Sequence, residues 1–127
     1  MITEDYCSFG LSKLLKEKGF DEPCCGIWHV NNKLFELHYE PLDYSELREE
    51  RLLAPTHQMA MKWLREKHNL HIEVIYNPYY EEYKGCMYKT IGEYNYTEFY
   101  STYEEAVEAA LKYVLEKFDM IQPERAH

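Results

Sequence analysis

The sequence predicts an α+β fold: one antiparallel sheet of four to five strands from two hairpins, covered on one face by two to three helices. Three observations predict it. Apolar residues recur at helical spacing in three stretches. Runs rich in aromatic and β-branched residues lie between turn residues. These segments alternate as α-β-β-α-β-β(β)-α, which suits a sheet with its helices on one side. At 127 residues, with 46% hydrophobic and 29% charged side chains, the chain fits a single globular domain over residues 1–127.

The first helix is expected to end within residues 10–20. Leu11, Leu14, Leu15 and Lys18 share a face, Lys18 contributing its aliphatic stem. Gly19 stands where a left-handed residue closes a helix, and Pro23 prevents continuation. Residues 26–30 and 33–39 then flank Asn31-Asn32, a pair tolerant of positive φ, and read as a hairpin. Residues 41–50 are polar and read as a loop with a helical turn starting at Ser45.

Ala54-Pro55-Thr56 opens the second helix, with Pro55 suited to its first turn. Met59, Ala60, Trp63 and Leu64 form its apolar stripe, and Asn69 can end it. Residues 71–76 read as a strand closed by Asn77-Pro78. A second hairpin is expected from Tyr83–Ile91 and Tyr94–Tyr100, with a turn near Gly92. The last helix starts from a capping box, either Ser101 with Glu104 or Thr102 with Glu105. Val107, Ala110, Leu111, Val114, Leu115 and Phe118 follow at helical spacing. Acidic residues near its start and Lys112 and Lys117 near its end match the macrodipole.

Three blocks, in this order, resemble small proteins encoded by phages and prophages of Bacteroides and related gut bacteria. They are Leu14–Cys24, Ala54–Glu66 followed by His71–Val74, and Thr102–Leu111. The resemblance spans nearly the whole chain and brings no catalytic or binding residue with it. It implies a phage or prophage accessory protein acting in the cytoplasm of the bacterial host.

The net charge of −9 is divided almost evenly between the two halves of the chain. It repels nucleic-acid phosphates and anionic lipid, so neither is an expected partner. No apolar run is long enough for a membrane span, and the acidic N-terminus has neither the basic nor the apolar region of a signal peptide. Four cysteines, two of them adjacent, read as free thiols in a reducing compartment.

Cys24, Cys25 and His29, with His68 and His71, invite a metal reading, but the spacing that lets two ligands share an ion is absent. Cys25 with His29 as nucleophile and base lacks a visible orienting group. The carboxylate runs Glu46, Glu49, Glu50 and Glu104, Glu105, Glu108 read as solvated faces. No cofactor, metal or catalytic residue is expected.

The tyrosines carry the strongest signal. Nine of the 13 lie between Tyr76 and Tyr103. Strand alternation puts Tyr94 and Tyr96 on one face and Asn95 and Thr97 on the other, so some rings must point away from the helices. Exposed tyrosines suit protein interfaces, being large, rigid and able to hydrogen-bond. The expected function is therefore non-enzymatic: protein–protein contact through Tyr79, Tyr80, Tyr83, Tyr88, Tyr94, Tyr96 and Tyr100, with another protein or a second copy. The alternative is a binding or hydrolytic protein whose tyrosines line a pocket for a nucleotide-like or aromatic ligand. A lower alternative is an acidic mimic of nucleic acid.

Overall fold

The computed structural model describes residues 2–118. The chain is α+β, with three α-helices and two three-stranded antiparallel sheets. It divides into two compact units, Met1–Ala60 and Met61–His127.

In the first unit, helix α1 (Phe9–Glu17) is capped by Ser8, whose Oγ accepts from the Leu11 N–H at 3.3 Å. Gly19, at φ +94°, closes it as expected. The sheet has the order β2-β1-β3, from β1 (Cys24–His29), β2 (Phe35–Leu42) and β3 (Arg51–Leu53). The β1–β2 hairpin turns at Val30, Asn31 and Asn32 as expected, but the positive φ falls on Lys33, at 55°, rather than on either asparagine. A short 3₁₀ turn, Tyr44–Glu46, falls where a helical turn was expected, with Asp43 and Glu46 forming a capping box. Tyr44 ties this turn to the sheet, its hydroxyl accepting from the Leu53 N–H at 2.9 Å. Leu11, Leu15, Phe20, Ile27, Leu52 and Leu53 are buried.

Helix α2 (His57–His68) contains the division between the units. Pro55 lies outside its first turn; Thr56 immediately precedes the helix, and its Oγ1 accepts from the Met59 N–H at 3.1 Å. Asn69, at φ 54°, follows its last residue.

The second unit holds β4 (His71–Asn77), β5 (Glu82–Tyr88) and β6 (Asn95–Tyr96), in that spatial order, with helix α3 (Tyr103–Lys117). The capping pair is Thr102 with Glu105: Thr102 Oγ1 accepts from the Glu105 N–H at 3.1 Å and donates to its carboxylate at 2.9 Å. The buried face of α3 is Ala106, Val107, Ala110, Leu111, Val114 and Leu115.

The two sheets replace the single larger sheet expected from the sequence, for two physical reasons. Arg51–Leu53 is too short to display alternation, yet it pairs with the free edge of β1. The second hairpin is β4–β5, turned through Tyr79 and Tyr80, because residues 71–77 and 82–88 pair residue for residue. The segment after Gly92 contributes only a two-residue strand.

The packing of β5 on α3 leaves no space at Gly85. A Cβ there meets the Ala110 Cβ at 2.7 Å and the Thr97 Cγ2 at 3.2 Å. Gly85→Ala is therefore expected to destabilise the protein by about 1–3 kcal/mol, through overpacking. Urea denaturation checks this; an unchanged midpoint contradicts the close approach.

Candidate functional site

Direct cross-strand partners share a face of a sheet, so the register sorts the side chains of the second unit. Gly85, close to Ala110, marks the face covered by α3. Met87 and Tyr83 on β5 share it, as do their partners Ile72 and Tyr76 and Gly85's partner Val74. Asn95 also belongs there, its Oδ1 accepting from the Tyr113 hydroxyl at 3.2 Å. The opposite face carries His71, Glu73 and Ile75 of β4, Lys84, Cys86 and Tyr88 of β5, and Tyr96 of β6. Tyr94, two residues before Tyr96, packs edge-on against Tyr88 at 5.2 Å on this same face.

The open face is aromatic with one cation at its centre. Lys84 Nζ lies 4.4 Å from the Tyr96 ring centroid and 5.0 Å from that of Phe99. Such cation–π contacts are worth roughly 0.5–1 kcal/mol at exposed sites, and here they steady two rings over the sheet. His71 stacks on Tyr88 at 5.2 Å with their planes 13° apart. Tyr96 is 51% exposed, Tyr94 45%, Phe99 44% and Ile75 41%. Desolvation and the Glu73 carboxylate raise the Tyr88 pKa above the ordinary tyrosine value, keeping its hydroxyl protonated as a donor to Glu73. Glu73, which interacts with Tyr88, is exposed, as are Glu93 and Glu98, the chain neighbours of Tyr94 and Phe99. The arrangement offers large apolar contacts and hydrogen-bonding hydroxyls, which is the chemistry of recognition.

The seven tyrosines singled out from the sequence do not form one surface. Tyr88, Tyr94 and Tyr96 come together on the open face. Tyr79 and Tyr80 are highly exposed in the β4–β5 turn, edge-to-face at 5.1 Å. Tyr83 belongs to the α3 face, its ring 4.8 Å from Tyr76 and 6.1 Å from Tyr103. Tyr100 is bridged to Tyr83 and half-buried. Lys84, Phe99 and Ile75 were missed as site residues. Lys84 and Ile75 are cross-strand partners, which alternation within one strand does not disclose.

Cys24, His29, His71, Glu46 and Glu105 have local partners. Cys24 and Cys25 border a cleft of about 170 Å³ in the first unit, together with Glu4, Tyr6, Thr56 and Met59. Burial, then Cys25, pushes the Cys24 thiol up to about 12, so it stays protonated and donates to the Glu22 carbonyl at 3.1 Å. His29 Nε2 pairs with Glu36 Oε1 at 2.6 Å, and His71 Nε2 lies 3.0 Å from Asn69 Oδ1. Glu46 and Glu105 are engaged in capping.

No protein-family model, curated protein or solved structure matches the chain. Among the described residues, no helix is long and apolar enough to cross a membrane.

His68, read from the sequence as a metal candidate, is buried edge-on against Trp63 at 4.7 Å. Burial, then the Lys89 ammonium, lowers its pKa from the ordinary 6.5. Below that value the unfolded chain binds the proton more readily than the folded one, so stability is full above pH 6.5 and falls as the solution is acidified. His68→Gln is expected to flatten part of this acid-side decline, measured as midpoint temperature against pH. An identical slope in wild type and variant contradicts the assignment.

Proposed function

We propose that this chain is a non-enzymatic interaction protein that binds a protein partner through the open face of the β4-β5-β6 sheet. The observation that carries the reading is the one-sidedness of that sheet. On one face α3 packs against Gly85 and covers Met87, and the other presents Tyr88, Tyr94, Tyr96, Phe99 and Ile75 around the ring-held Lys84. Rings exposed on an open sheet face favour a macromolecule over a small aromatic ligand, which needs concave enclosure. The exposed Glu73, Glu93 and Glu98 favour a partner with an apolar centre and a basic rim. The same acidity, with −9 over the chain, disfavours nucleic acid. The resemblance of the three sequence blocks to phage and prophage proteins supports a setting in the bacterial cytoplasm as an accessory protein.

A photo-crosslinking residue at position 96 identifies the protein that contacts this face, and titration calorimetry with that purified protein tests the reading. Tyr94→Ala and Tyr96→Ala are each expected to weaken binding about tenfold, as truncation of interface tyrosines does. Tyr79→Ala, in the turn, leaves affinity unchanged. Equal affinity for wild type, Tyr94→Ala and Tyr96→Ala overturns the assignment of the face.

A further inference from the structure

The outer edge of β4 is the least guarded strand edge among the described residues. The end strands of the other sheet are β2, which carries Pro41 and an irregular register, and β3, which has three residues. At the far end of the same sheet, β6 has two residues. These are ordinary devices against edge-to-edge pairing. By contrast β4 runs seven residues in unbroken register with β5, holds no proline or lysine, and has Glu73 as its one carboxylate. No strand of the described residues pairs with its outer side.

The hydrogen bonds of β5 determine which β4 groups that edge presents. Tyr83 exchanges backbone bonds with Tyr100, at 2.8 and 2.6 Å, and the Gly85 carbonyl accepts from the Thr97 N–H at 2.9 Å. The odd-numbered residues of β5 therefore direct their backbone groups towards β6, and Lys84, Cys86 and Tyr88 direct theirs towards β4. Their partners on β4 are Ile75, Glu73 and His71. Alternation then points the N–H and C=O groups of Ile72, Val74 and Tyr76 out of the free edge.

We propose that this edge is a homodimer interface, in which β4 of one chain pairs antiparallel with β4 of a second copy about a two-fold axis at Val74. The occupant follows from self-complementarity. Pairing about Val74 sets Val74 opposite itself and Ile72 opposite the partner's Tyr76, so every outward backbone group finds a reciprocal donor or acceptor. On the open face, Glu73 falls opposite the partner's Ile75 and His71 opposite the partner's Asn77. No carboxylate directly faces another, as would happen in a register centred on Glu73. The two-fold is closed, because the short β6 ends the sheet in each copy, and the product is one continuous sheet of both copies' strands. This inference stands on backbone geometry and does not require the aromatic face to bind anything.

Light scattering on the purified chain, paired with residue-resolved amide exchange, tests it. Wild type is expected at twice the 15.4 kDa chain mass, with the Ile72, Val74 and Tyr76 amides exchanging about tenfold more slowly in concentrated than in dilute solution. Val74→Pro removes an outward N–H while sparing the β4–β5 ladder, so the variant is expected to keep its circular dichroism and run at the chain mass. A wild-type monomer whose Ile72, Val74 and Tyr76 amides exchange freely at every concentration overturns the proposal. So does a dimer that persists in folded Val74→Pro. The exchange result needs no variant, so a Val74→Pro chain that fails to fold still leaves a decision.

Discussion

The close approach of β5 to α3 at Gly85 is the constraint on which the rest of the second unit depends. No side chain fits between the strand and Ala110, so the helix lies directly on the sheet. That contact assigns each neighbouring residue to a side. Met87 and Val74 go with Gly85 towards the helix, and Lys84, Cys86 and Tyr88 go away from it. Because the side-chain period of a strand is two, the assignment passes through the register to β4 and β6 without further choice. The exposure of Tyr94 and Tyr96 is thus a consequence of a glycine on the neighbouring strand.

What then stabilises an aromatic face against water is contact among its own groups. Lys84 spans two rings, His71 stacks on Tyr88, and Tyr94 meets Tyr88 edge-on. Each contact orients a ring without covering it, which leaves area and hydroxyls available for a partner. The first unit spends its aromatic residues differently. Trp28 lies 5.1 Å from Phe35 and 6.0 Å from Phe9, and its indole N–H donates to the Cys7 carbonyl at 2.9 Å.

Much of the fold was legible in the sequence where a single local rule decides the outcome. The Thr102–Glu105 box, the stripe of α3 and the left-handed Gly19 depend on neighbours in the chain, and each was readable. The alternation of Tyr94 and Tyr96 against Asn95 and Thr97 was readable for the same reason. What escaped depends on distant pairing. Arg51–Leu53 becomes a strand through β1, and Tyr83 turns to the helix face through Gly85. Lys84 joins the site through rings twelve and fifteen positions further along the chain. The density of tyrosine marked the right region, and the register divided it into an outward group and an inward one.

Photochemically induced nuclear polarisation of tyrosine, with a dissolved flavin as the dye, tests this sidedness most directly, because only rings the dye can reach are enhanced. The account predicts strong enhancement at Tyr94 and Tyr96 and a weak response at Tyr83 and Tyr100. Silent Tyr94 and Tyr96 rings beside enhanced Tyr83 and Tyr100 would contradict it, since the helix would then cover the face described here as open.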